Sequence, residues 1–149
     1  MSKIKDLKVV PFEAQHLQRL DLLPDEFVTL EDIKPEGGGG LIENGGPAFS
    51  AFDGNKLIFC FGVARVAEGQ GEAWSVCDKC VTKYLRELLC YCRSYLDRAF
   101  KEGGFVEIYA HTKTDWKKSA NFDRLLGFKK VDTSIGLNGL EYYVWRRTR

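Results

Sequence analysis

The segment from Val76 to Thr82 combines residue types that could bind an anion or carry thiol chemistry. It joins a predicted strand to a predicted amphipathic helix, where free backbone N–H groups and the positive end of the helix dipole attract anions. Cys77 and Cys80 within it form a Cys-x-x-Cys pair, and such a position can lower a thiol pKa and support redox chemistry. The alternative is two part-buried cysteines beside a helix cap. The preceding strands do not follow a thioredoxin-like order, which favours that alternative.

The remaining cysteines do not complete a zinc site with this pair. Cys90 and Cys92 lie two residues apart on the predicted helix, about 200° around its axis. Both therefore cannot meet Cys77 and Cys80 at one tetrahedral ion, and we predict no metal site.

His111 is a second candidate for chemistry, because it ends a predicted strand near the sheet edge where ligands bind in open α/β folds. It could act as a base or orient a substrate. The alternative is a histidine that hydrogen-bonds to backbone at a strand end. His16 lies on a predicted helix, facing outward or sideways, with no partner for chemistry. Serine-hydrolase, zinc-protease and phosphate-loop motifs do not occur in the sequence.

Composition bounds the class of protein. The 149 residues, 44% hydrophobic and 29% charged, fit one folded domain. The net charge of +1 and a basic run confined to Arg146–Arg149 argue against nucleic acid as a partner. Without an apolar run at the N-terminus, we expect neither a signal peptide nor membrane association, and a cytoplasmic protein. Five cysteines, an odd number, favour reduced thiols.

Hydrophobic periodicity predicts the elements that must position these residues. In chain order they are a strand at Lys5–Phe12, a helix at Phe12–Leu23, a glycine-rich mobile loop at 24–47, a hairpin at 48–67 turning at Asp53-Gly54-Asn55, a strand at Glu72–Cys77, a helix at Asp78–Lys101 with Asp78 as N-cap, a strand at Phe105–Ala110, a helix at Thr114–Leu126, and strands at Phe128–Val131 and Leu140–Trp145. The long loop is either a lid or partner-recognition segment, or a tolerated surface insertion.

This order, with the Leu-Gly-Phe that ends Asn121–Phe128, resembles the GCN5-related N-acetyltransferase (GNAT) fold. The resemblance implies a single α/β (α+β) domain, 1–149, with a central mixed sheet of six to seven strands and helices on both faces. A tryptophan in the fourth strand, followed by the long basic helix, is most similar to the acetyltransferase-like internal virion proteins of short-tailed lytic phages. That similarity implies a virion component or a host protein as partner.

The resemblance also places a cofactor site. Active GNAT members carry an Arg/Gln-x-x-Gly-x-Gly/Ala loop after the fourth strand, whose glycines admit the pyrophosphate of acetyl-CoA. The corresponding segment here, Cys77–Thr82, contains no glycine. If acetyl-CoA binds, its pantetheine arm would enter a V-shaped gap between the fourth and fifth strands, and the cofactor-binding residues would be Trp74, Val76, Cys77, Lys79 and Thr82.

Three residues are candidates for catalysis on this resemblance. The family's tyrosine acid falls on Asp123, which we expect to be an exposed helical carboxylate and therefore a poor acid at neutral pH. Glu72 begins the fourth strand, where some acetyltransferases place a general base; the alternative is a solvated strand-end glutamate. His111 completes the set.

Two functions follow for this chain. The first is a noncatalytic acetyltransferase-fold phage protein that needs no cofactor and acts through protein contacts, in a virion, in assembly or on a host target. The alternative is an acetyl-CoA-dependent N-acetyltransferase of a small amine, a protein lysine or a protein N-terminus. The missing glycines favour the first.

Overall fold

One mixed sheet organises the chain. The computed structural model describes residues 7–13, 15–16, 48–115, 117–135 and 139–149. Its elements are strands β1 (Lys8–Pro11), β2 (Ala48–Asp53), β3 (Lys56–Ala67) and β4 (Gln70–Cys77), helix α1 (Leu85–Glu102), strand β5 (Glu107–Lys113), helix α2 (Lys117–Leu125), and strands β6 (Lys129–Ile135) and β7 (Glu141–Thr148). The strand order is β1-β2-β3-β4-β5-β7-β6. All neighbours are antiparallel except β4 and β5, which are parallel. The predicted fold class, a mixed sheet within a single domain, is confirmed.

The centre of the sheet is apolar on both faces. Residues 57–63 of β3 are all buried. Phe59 and Phe61 belong to the larger core cluster, while Leu57 and Cys60 belong to a smaller cluster with Trp74. Side chains of a strand alternate between faces, so a strand buried on both sides belongs in the interior of a sheet, as the sequence predicted.

Helix α1 covers the face of the sheet that carries the larger cluster. Leu88, Cys92 and Leu96 recur every four residues and are fully buried, which places them on one stripe of the helix. Burial of each leucine contributes roughly 2 kcal/mol. Helix α2 adds to the same cluster through Leu126, just beyond its end, and through the half-buried Phe122.

The predicted start of the long helix was wrong. A 3₁₀ turn at Val81–Tyr84 precedes α1, which begins only at Leu85. The Asp78 N–H donates to the carbonyl of Ile58 at 3.0 Å, so Asp78 still continues the pairing of β4 with β3. An aspartate that bonds the backbone two residues on favours a turn, and it looks the same in sequence as a helix cap.

The predicted outward orientation of His16 was also wrong. His16 is buried, with Nδ1 2.8 Å from Ser50 Oγ on β2. Its ring packs edge-on against Phe12 and Phe52, at centroid distances of 6.3 and 5.7 Å.

Other predictions fall beyond the described part of the chain. Most of the helix expected at Phe12–Leu23 and the whole glycine-rich loop, 24–47, lie outside the described residues. Where the structure does describe the chain, no helix has both the length and the apolar character needed to cross a membrane.

Candidate active site

The parallel strands β4 and β5 separate soon after they meet. They pair only through Gln70 with Glu107, Gly71 with Ile108, and Glu72 with Tyr109. Beyond Glu72, β4 runs on to Cys77 paired with β3 alone, while β5 runs on to Lys113 paired with β7. The two strands thus form a fork, and the edge of β4 from residue 73 onward carries no β5 partner. The GNAT resemblance implies a gap at this place, between the fourth and fifth strands.

Helix α2 reaches across this fork. Phe122 of α2, which follows β5 in the chain, meets Phe59 of β3 edge-on at a centroid distance of 6.5 Å. Because β4 lies between β3 and β5 in the sheet, this contact brings α2 close to the fork.

Glu72 and His111 form an ion pair at the fork. Glu72 is the last residue of β4 paired to β5, and its Oε1 lies 2.9 Å from His111 Nδ1. The hydrogen bond with Glu72 raises the pKa of His111 above its usual 6.5, burial lowers it, and the negative charges of Glu72 and Asp123 raise it further. The partner that the structure shows for His111 is therefore a carboxylate.

Asp123 is the third member of the group, and the prediction that it is an exposed carboxylate was wrong. It is half-buried on α2, and burial raises its pKa from 3.8 to about 7, while the charge of His111 lowers it. Asp123 lies three residues from both Ala120 and Leu126. It therefore shares their apolar side of the helix, a spacing that could have revealed its burial from sequence.

The fold thus brings together Glu72, His111 and Asp123 from three separate elements. Asp123 and His111 interact electrostatically, and the pKa of each is raised, that of Asp123 to about 7. General acid–base catalysis needs a base and an acid whose pKa values are shifted toward neutral pH, and this group places both beside one gap.

The candidate cofactor residues of β4 offer only their backbone. Trp74 and Val76 turn their side chains into the smaller cluster, and Cys77 turns into the larger one. The open edge of β4 at these positions could pair with the amides of a pantetheine arm as a neighbouring strand would. This part of acetyl-CoA fits the residues present.

The turn beyond β4 does not fit the diphosphate of that cofactor. Asp78 is buried there, and its Oδ2 accepts the N–H of Cys80 at 3.1 Å. Lys56 Nζ lies 3.8 Å from the same oxygen. Lys79 and Thr82 are exposed beside it. A carboxylate already sits where the resemblance would place a doubly charged group.

The Cys80 thiol of this turn is not activated, because burial and the hydrogen bond with Asp78 raise its pKa. Outside the turn, burial raises the pKa of Cys60 on β3 to about 12. A redox cysteine needs the opposite shift. Within the described ranges, no three His, Cys, Asp or Glu side chains are grouped as metal ligands would be.

Comparison with solved structures identifies the architecture. The chain superposes on the ribosomal-protein-S5-alanine acetyltransferase of Vibrio fischeri with a TM-score of 0.68 at 18% identity, covering 99% of this chain and 95% of that one. The fold is that of the GCN5-related N-acetyltransferases. A GNAT-family acetyltransferase of Streptococcus pneumoniae matches this GNAT fold with a TM-score of 0.67 at 13% identity, covering 97% and 100%. A variant of the spermidine N-acetyltransferase of Vibrio cholerae gives 0.68 at 15%, covering 95% and 93%. No protein-family model and no curated protein sequence matches the chain.

Proposed function

We propose that this GNAT-fold protein is an N-acyltransferase that works at the fork between β4 and β5. The observation that carries the proposal is the convergence of Glu72, His111 and Asp123 at the open edge of β4. The donor would supply an acyl group activated as a thioester, with its pantetheine arm along that edge. The neighbours with this fold are acetyltransferases, which supports the same class of reaction.

The residues of the fork would divide the proton transfers. An amine must lose a proton to attack a carbonyl, and the Glu72–His111 pair is placed to take it once His111 is neutral. In the transfer an amide C–N bond forms and a thioester C–S bond breaks. Asp123, with a pKa of about 7, can hold a proton at neutral pH and donate it to the departing thiolate sulfur.

The proposal for the acyl acceptor rests on the proteins of similar structure, because the fork alone does not indicate which amine it would take. One neighbour is named for alanine of a ribosomal protein and another for spermidine. We therefore propose a protein N-terminus or a small amine as the acceptor.

The test is acyl transfer from acetyl-CoA and from acetyl-pantetheine to spermidine, to a peptide with N-terminal alanine and to a peptide with an internal lysine. Mass spectrometry of the amide product should show transfer to one of them. His111→Asn should lower the rate about 100-fold, whereas Lys129→Ala, a change at an exposed position of β6, should leave it unchanged. Absence of product with every acceptor, together with no heat of binding from either donor at millimolar concentration, would overturn the proposal.

A second candidate is the noncatalytic role predicted from the sequence. The carboxylate of Asp78 in the turn after β4 favours it, because that turn does not fit the diphosphate of acetyl-CoA. A chain that had lost catalysis could act through protein contacts, and the phage and virion setting stays a prediction of the sequence. The calorimetric arm of the same experiment separates the two, since a noncatalytic protein should bind neither donor.

A further inference from the structure

The turn between β4 and α1 has its own internal anion. Asp78 is 1% exposed. Buried carboxylates require compensation by hydrogen bonds or opposite charge. Here Cys80 supplies an N–H at 3.1 Å and Lys56 a positive charge at 3.8 Å from the same carboxylate oxygen. The side chain thus takes the contacts that an external anion would otherwise receive.

Backbone N–H groups of the same turn already donate hydrogen bonds to acceptors within the protein. Asp78 N–H donates to Ile58 at 3.0 Å, Val81 N–H to the Asp78 carbonyl at 3.0 Å, and Lys83 N–H to the Cys80 carbonyl at 3.2 Å. With the Cys80 N–H, four N–H groups between residues 78 and 83 are already used. A diphosphate-binding turn needs such groups to point outward and unpaired.

The turn also lacks glycine. The segment from Cys77 to Thr82 contains none, whereas a turn that binds a diphosphate uses glycines so that its N–H groups can approach the ligand closely.

We propose that Asp78 restricts donor recognition to the acyl-pantetheine part of a thioester, so that the diphosphate of coenzyme A contributes no affinity. This deepens the proposed acyl transfer and rests on it. The acyl-pantetheine part would be held by the open edge of β4, and the nucleotide part would stay in solvent. Asp78 is then a specificity-determining residue, because its carboxylate takes the contacts that a diphosphate would need at this turn.

The first experiment compares acetyl-CoA with acetyl-pantetheine as donors for the same acceptor. The wild-type protein should use both with kcat/KM values within about threefold of each other. Asp78→Asn keeps an acceptor oxygen for the Cys80 N–H but removes the charge, so it should raise kcat/KM for acetyl-CoA about tenfold and leave acetyl-pantetheine unchanged. Asp97→Asn, a charge removal at an exposed site on α1, is the matched control and should change neither value.

The second experiment needs neither turnover nor a variant. Isothermal calorimetry of the wild-type protein should show no saturable binding of inorganic pyrophosphate up to about 10 mM, and equal affinities for coenzyme A and pantetheine. Saturable pyrophosphate binding below 1 mM would overturn the inference about Asp78 while leaving acyl transfer in place. A kcat/KM for acetyl-CoA more than about 30-fold above that for acetyl-pantetheine would do the same. Transfer to no acceptor, with pyrophosphate still unbound, would instead reject the proposed function and leave the inference about the turn standing.

Discussion

Asp123 is held in a position that stabilises its protonated form, so replacing it with asparagine should stabilise the fold. Its pKa rises from 3.8 to about 7 because of burial. Each unit of pKa difference corresponds to about 1.4 kcal/mol, so folding with this carboxyl at pH 7 costs on the order of 4 kcal/mol at most. The side chain is half-buried, and solvent screening reduces this to about 2 kcal/mol. Asp123→Asn keeps the shape and removes that cost.

The direction of the pKa shift determines how the stabilisation by Asp123→Asn changes with pH. Because the pKa of this carboxyl is higher in the folded state, its protonation favours folding. That contribution is fully present below pH 3.8, the ordinary value, and is lost as the pH rises through about 7, the folded value. The gain from Asp123→Asn should therefore grow between pH 5 and pH 8 by about 1 kcal/mol or more.

Urea unfolding followed by circular dichroism at pH 5 and pH 8 measures this gain directly. Asp115→Asn, a change at an exposed carboxylate just before α2, is the matched control and should shift stability by less than about 0.5 kcal/mol at either pH. A gain that is equal at the two pH values, or a loss that grows with pH, would refute the assignment of a half-buried carboxyl with a raised pKa.

The remaining predictions concern the fork and the packing beneath it. The pH profile of kcat/KM should be bell-shaped, with a low-pH limb set by the raised pKa of His111 and a high-pH limb near 7 set by Asp123. Glu72→Gln should lower kcat/KM about 100-fold and move the low-pH limb to lower pH, because the carboxylate that raises the pKa of His111 is gone; an unmoved limb would contradict the pairing. Gly62→Ala would place a Cβ 2.7 Å from the Trp74 ring and should cost about 1 to 3 kcal/mol of unfolding free energy by urea titration; a neutral result would show that the ring can shift.

The sequence correctly predicted those elements whose local residue preferences agree with their position in the fold. The Asp53-Gly54-Asn55 signal predicted the hairpin, and Gly54 indeed turns with a φ of 61°. The helical stripe predicted α1, and the doubly apolar pattern predicted β3 as an interior strand. In each case one physical preference dominated, and the structure satisfied it.

The parts that sequence reasoning missed depend on which groups meet across the fold. Asp78 could cap a helix or close a turn, and only its position beside Ile58 and Lys56 selects the turn. The sequence predicts a solvated Asp123, because the burial of this side chain depends on how α2 packs beside the fork. Glu72 and His111 were each recognised as candidates, but they are 39 positions apart in the sequence, and only the parallel pairing of β4 with β5 brings them together.

The fork also has a consequence for hydrogen exchange. Three residue pairs are the whole of the pairing that joins strands β1 to β4 with strands β5 to β7. Amide protons of β4 that point toward β5 beyond Glu72 therefore lack a cross-strand acceptor, although they lie at the middle of a seven-stranded sheet. They should exchange with solvent faster than amides at the β3–β4 and β5–β7 pairings on either side. The sheet should then behave as two cooperative units that unfold separately along its centre, with α1 as the main covalent and packing link between them.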